Sequence, residues 1–303
     1  MSKADQIFIQ NCKDILSHGV WDTDRPVRPH WEDGEPAHTI KLFGVVNRYD
    51  LREEFPILTV RRQYLKSAID EILWIWQKKS NNIKDLSSHV WDSWADENGS
   101  IGKAYGYQLG QLYRHHLTPK DKVGTHIAPV LSAERYPSAL VSDGWVWLDQ
   151  VDAVLYDLQH NPTSRRILTN IFNHQDLADM GLQPCAYSMT FNVSGNTLNG
   201  ILNQRSQDML TANGWNVMQY AALLMMVAHV SGLEAGELVH VIADAHIYDR
   251  HVPVIEKIIK REPFAAPKLT MDPEDGFYAF TKNHFHLEGY QAHELDEKIP
   301  VAV

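Results

Sequence analysis

Between residues 59 and 79, Leu65, Ile69, Ile72, Leu73 and Trp76 recur at helical spacing and stop at the polar run Ser80-Asn81-Asn82, which predicts a helix with one buried face. Ile7, Cys12 and Leu16 set a similar rhythm over residues 4–17. Leu148, Val151, Val154, Leu155 and Leu158 repeat it over residues 147–159, ending at Asn161-Pro162. Residues 217–230 are apolar almost throughout and read as a core helix, since the apolar stretch is shorter than the ~18 residues a membrane span needs. Three segments, residues 166–172, 187–193 and 197–204, have period-two or β-branched character, and Ser194-Gly195-Asn196 joins the last two into a hairpin. Residues 237–244 predict a further strand, whereas residues 21–38 are rich in charge and turn formers and read as a loop. Residues 113–143, with Pro119, Gly124, Pro129 and Pro137, have weak periodicity and read as a surface insertion. Helices and strands follow in mixed order, so the expected class is α+β.

A chain of 303 residues with 44% hydrophobic side chains can bury a large core, and one domain over residues 1–303 is the simplest organisation. Its 28 Lys and Arg against 38 Asp and Glu give a net charge of -10, which argues against a nucleic-acid partner held by phosphate neutralisation. Any phosphate must therefore be met by a few local cations. The two cysteines, Cys12 and Cys185, stand far apart, so each is expected as a thiol in a reducing cytoplasm. The first residues mix charge among their apolar positions, unlike a signal peptide, and no membrane association is expected.

Cys185 follows Pro184 where a loop enters a strand, a place where a side chain can be held at a cavity edge. Its thiolate needs nearby cations, and forked Arg165, Arg166 and Arg205 could supply them while also suiting a phosphate dianion. Glu71 adjoins the apolar stripe of its helix, where burial would help it hold a proton near neutral pH. Asp244, His246 and Tyr248 alternate past a predicted strand and so point to one side. Each group has an ordinary alternative: a buried small thiol, surface ion pairs, a carboxylate at a helix edge, a strand terminus. His240, His246 and His251 match no metal-ligand spacing, so no metal is expected.

The run RILTNIFNHQDLADMGLQPCAYSMTF, residues 166–191, resembles the active-site signature of the folate-dependent thymidylate synthases, in its arginine, the threonine three later, Phe-Asn, Pro-Cys and the aromatic six positions on. The likeness extends to EILWIWQ at 71–77, VWDSWADENG at 90–99, RSQDML at 205–210, GWNVMQY at 214–220, DAHIY at 244–248 and PVAV at 300–303. It implies an α+β fold with a large mixed sheet, flanked by helices and packed across a homodimer interface. The implied reaction is methylation of deoxyuridine monophosphate by 5,10-methylene-tetrahydrofolate as co-substrate. Cys185 would be the nucleophile, Arg205 and Ser206 phosphate ligands, and Arg165 and Arg166 would reach the phosphate from the other subunit. Asn216 would read the pyrimidine edge, and His246 and Tyr248 would bond the sugar. Glu71 and Tyr105 would manage protons, Asp208 would bond the pterin, Trp91 would wall the cavity, and the Val303 carboxylate would close it. The family's Arg-Thr-Gly-Thr phosphate loop is replaced by DRPVRPHWEDGEPAHT, with Arg28 favoured over Arg25 as the extra ligand. Ala186 stands where histidine is common, Gln207 where a small residue is usual, and Ala212-Asn213-Gly214-Trp215 where Gly-x-Pro-Phe is expected. The alternatives are a hydroxymethylase, in which water replaces hydride, and a non-catalytic uridylate-binding homologue.

Overall fold

Ser2 opens the first helix by accepting the Asp5 N–H, and this helix, α1 (Lys3–His18), buries Ala4, Phe8, Cys12 and Ile15 on one stripe. The computed structural model describes residues 2–115, 131–295 and 297–302. After the short β1 (Val20–Trp21), residues 22–38 form the expected loop, which Trp31 anchors: it is 3% exposed, and its indole N–H donates to Asp249. Next comes β2 (Thr39–Asp50), whose sequence lacks a clean alternation and includes Gly44 at φ 78°.

In α2 (Leu65–Trp76) the buried set is wider than the predicted stripe, with every residue from Glu71 to Trp76 inside. The reason is tertiary: α2 is packed by a second long helix, by the one-turn α3 (Gly106–Leu109) and by the turn at residues 282–284. The segment expected as an insertion contributes β3 (Tyr113–Arg114) and β4 (Leu140–Ser142), which flank β5 (Trp145–Leu148) in a three-stranded sheet. Tyr136 from this segment is fully buried, and residues 116–130 lie outside the described part. Asp149 then caps α4 (Gln150–His160), so the predicted helix begins later than its apolar rhythm suggested.

Of the predicted strand at 166–172, β6 (Leu168–Asn170) is regular. The hairpin forms as predicted from β7 (Ala186–Ser194) and β8 (Thr197–Gln204). After β9 (Gln207–Asp208), α5 (Asn213–Val230) crosses to β10 (Glu234–Tyr248), the crossover needed to place β10 parallel to β8. Asp244, His246 and Tyr248 thus lie within a strand longer than its apolar core implied. The chain closes with α6 (Val252–Ile258) and the pair β11 (Lys268–Met271) and β12 (Phe285–Glu288).

Among the described residues the main sheet runs β1-β2-β10-β8-β7-β6, with β9 also on β10. It is mixed, since β10 pairs antiparallel with β2 and parallel with β8 and β9. Helix α5 lies over β8 and β10 and under α2, which is why its sequence is apolar on nearly every side. The partner of β10 changes from β8 at Gln204 to β9 at Gln207. The intervening Arg205-Ser206 leaves the ladder there, beside the start of β7.

Candidate active site

Several elements converge at that break. Cys185 immediately precedes β7; its N–H donates to the Tyr105 phenol oxygen at 3.2 Å, and its carbonyl accepts the Arg205 N–H at 3.0 Å. The Arg205 guanidinium donates to the Pro184 and Gln183 carbonyls at 3.0 and 2.8 Å and stands 3.8 Å from the Cys185 sulfur. Burial raises the thiol pKa, while the positive fields of Arg205 and then Arg28 pull it down. Arg28 also acts on Tyr248. The anchored loop of residues 22–38 thus brings Arg28 to the cluster, whereas Arg25 is exposed and lies 3.7 Å from Asp24.

Tyr105 holds its position at a cost in backbone conformation, with φ 46° at the entry to α3. The next residue must be glycine: a Cβ on Gly106 would stand 2.3 Å from the Ser80 carbonyl oxygen. Burial raises the Tyr105 phenol well above its ordinary range, with smaller contributions from the charges of Cys185 and Glu71.

Glu71, only 5% exposed, is pushed up to about 7 by burial. Donors moderate the rise: Gln219 Nε2 at 2.9 Å from Oε1 and Trp215 Nε1 at 3.2 Å from Oε2. Trp91 lies beside this carboxylate, where its indole also holds the carboxyl pKa down, and it stacks edge-on to Tyr105 at 4.8 Å. Asn216, in the first turn of α5, donates to Gln219 Oε1 at 3.2 Å and accepts from Gln204 Nε2 at 3.0 Å. An unbroken string of amides therefore joins it to Glu71. Gln204 and Gln219 were not singled out from the sequence. Their signal was positional: one ends β8 directly before Arg205, and the other lies one helical turn beyond Asn216.

At the end of β10, His246 Nδ1 pairs with Asp244 at 2.8 Å and its ring meets Tyr248 edge-on at 5.2 Å. Asp208 lies beside them. Burial would raise its carboxyl, but His251, His246 and Thr211 outweigh this and bring it down to about 2. His251, 1% exposed, also reaches the chain's last residues, with Nε2 2.8 Å from the Pro300 carbonyl. Val303 lies outside the described residues. Arg165 and Arg166 are exposed, and Arg166 lines a separate cavity of about 370 Å³ with Tyr113, His115 and Asp157. They are not brought to Cys185 of their own chain. Among the described residues no cluster of His, Cys, Asp and Glu is suited to a metal ion.

A thiol beside a guanidinium, an oriented amide and a carboxyl able to change charge near neutral pH form an arrangement chemically suited to nucleophilic catalysis by cysteine. The thymidylate synthase family model matches residues 6–303. Thymidylate synthases of Bacillus subtilis subsp. natto and Bacillus phage phi3T are each 38% identical over 96% of both chains. The structure of the thermostable thymidylate synthase A from Bacillus subtilis superposes with a TM-score of 0.85, at 37% identity and full coverage of both chains. The chain belongs to the thymidylate synthase family, whose members are methyltransferases.

Proposed function

We propose that the protein converts deoxyuridine monophosphate and 5,10-methylene-tetrahydrofolate to thymidylate and dihydrofolate in the cytoplasm, as a homodimer. The observation that carries this reading is the convergence of Cys185, Arg205, Tyr105 and the Asn216–Gln219–Glu71 string on one break in the sheet. Cys185 adds to C6 of the uracil, turning C5 into a carbanion equivalent, and Arg205 and Arg28 favour the thiolate that begins the step. Arg205, Ser206 and Arg28 receive the phosphate. Asn216 presents a donor and an acceptor to the pyrimidine edge, while His246 and Tyr248 face the sugar. Glu71, poised near neutrality, moves protons at the base through water, and Tyr105 assists loss of the C5 proton.

The folate supplies the one-carbon unit and the hydride. The residues present suit it: ionised Asp208 offers an acceptor to pterin N–H groups, and buried Trp91 provides an apolar wall. That wall favours hydride over water as the group that completes the methyl. Dimerisation is supported by apolar side chains on the sheet face turned away from α5, where Val46 is 55% and Ile201 40% exposed. Arg165 and Arg166 would then serve the partner's phosphate site.

The test is to mix the protein with both substrates, follow dihydrofolate by absorbance and identify the nucleotide by mass. Thymidylate formed one-for-one with dihydrofolate is the expected result. A hydroxymethyl nucleotide, or tight nucleotide binding without product, would overturn the proposal in favour of a hydroxymethylase or a silent binding protein.

A further inference from the structure

His240 sits midway along β10 between Leu238 and Ile242, with no exposed surface. Its Nε2 is 2.8 Å from Gln204 Oε1, and its Nδ1 is buried without a partner. Burial keeps the ring neutral, its pKa pushed down to about 3. A neutral imidazole has one N–H to give. Gln204 Nε2 faces the Ser206 carbonyl at 3.2 Å and Asn216 Oδ1 at 3.0 Å. A carbonyl can only accept, so the amide nitrogen must point there, leaving Oε1 for His240. The proton therefore resides on Nε2 of the histidine.

The other end of the string is pinned in the same way. Gln219 Nε2 donates to the Ala68 carbonyl at 3.3 Å and to Glu71 Oε1 at 2.9 Å, so its own oxygen accepts from Asn216 Nδ2 at 3.2 Å. Every amide from His240 to Glu71 donates in one direction. Asn216 retains one lone pair on Oδ1 and one hydrogen on Nδ2 for a ligand.

We propose that His240 is a specificity-determining positioning residue: by donating its Nε2–H to Gln204, it pins the Asn216 amide in the orientation that accepts uracil and rejects cytosine. The inference rests on the function proposed above. Uracil offers a ring N–H and a carbonyl oxygen, whereas cytosine offers a bare ring nitrogen and an amino group. An asparagine amide reads one or the other according to a half-turn about its last bond. Turning Asn216 over would set its oxygen against Gln219 Oε1 and its nitrogen against Gln204 Nε2, unless the glutamines turned as well. Gln204 resists because turning would place its nitrogen against the His240 donor and its oxygen against the Ser206 carbonyl. Without His240, the first of those two penalties disappears.

The experiment compares kcat/KM and binding for deoxyuridine and deoxycytidine monophosphates in the wild type, His240→Leu and His240→Gln. A merely structural loss would weaken both nucleotides together. The expected result is a fall in the uridylate-to-cytidylate ratio of roughly tenfold to a hundredfold in His240→Leu, with much of it restored by His240→Gln, which again offers an N–H. An unchanged ratio in a folded, uridylate-active His240→Leu would overturn the inference alone. A wild type without uridylate turnover would overturn it together with the proposed function. Should His240→Leu not fold, ¹⁵N spectra of the wild-type imidazole decide: a neutral Nε2–H tautomer from pH 5 to 8 is required, and an Nδ1–H or titrating ring overturns the inference.

Discussion

At the residue scale, the two groups that change charge during the proposed reaction occupy very different surroundings. Cys185 has Arg205 3.8 Å from its sulfur, and replacement by serine removes the nucleophile while leaving the phosphate ligands in place. Cys185→Ser is therefore expected to bind the nucleotide in calorimetry yet lose several orders of magnitude in kcat. Glu71 has only neutral donors, Gln219, Trp91 and Trp215, against its burial. Its pKa rises from 4.5 to about 7, so the folded state holds the proton more tightly than the unfolded one. Below the unfolded value both states are protonated and burial of the carboxyl carries no ionisation cost. The cost grows as pH rises through the folded value and reaches about 3 kcal/mol above it. Glu71→Gln, which cannot ionise, is expected to lose activity but to be the more stable protein at pH 8, with the difference fading towards pH 5. Urea unfolding at the two pH values checks the sign.

At the element scale, the strained entry to α3 carries Tyr105 to Cys185, and it rests on the Lys79-Ser80 backbone. Gly106→Ala would force that backbone apart, with an expected loss of about 1–3 kcal/mol. It should also reduce kcat more than nucleotide affinity, because Tyr105 would shift while the phosphate ligands stayed. Behind this turn, half-buried Lys79 pairs with Asp149, lies 3.9 Å from Asp152 and donates to the Tyr278 hydroxyl at 2.7 Å. The cluster joins the end of α2, the start of α4 and the segment before β12. Lys79→Met would leave two buried carboxylates without their cation, an expected cost of about 3–5 kcal/mol in denaturant unfolding. That loss should shrink at low pH as Asp149, whose carboxyl pKa burial already raises, takes up its proton.

At the scale of the whole molecule, the arginines separate into two groups, and their positions make the dimer testable. Arg205 and Arg28 act on Cys185 within the chain, whereas Arg166 faces a different cavity. If Arg165 and Arg166 complete the partner's site, the double variant Arg165→Ala/Arg166→Ala and Cys185→Ser are each inactive alone. Co-expressed, random pairing makes half the dimers mixed, each with one intact site of two, so about a quarter of wild-type activity is expected. No recovery despite mixed dimers in native mass spectrometry would place the whole site within one chain.

The local rules of the chain determined much of this protein. The apolar rhythm of residues 4–17 and 217–230, the hairpin across Ser194-Gly195-Asn196 and the α+β class were legible because helices and hairpins depend on neighbouring residues. The resemblance placed the thiol, the amide and the carboxyl, since short motifs preserve residue identity. Only the tertiary structure decided what those groups experience. The length of β10 beyond Asp244 depends on β2 and β9, strands brought to it from other parts of the chain. The burial of Glu71 comes from α5 and from Trp91 and Trp215, none of which its own helix specifies. His240 is one histidine in an alternating strand until Gln204 reaches it from 36 residues away. Protonation and amide orientation are set by dielectric and by hydrogen-bond partners, which exist only after distant segments have packed together.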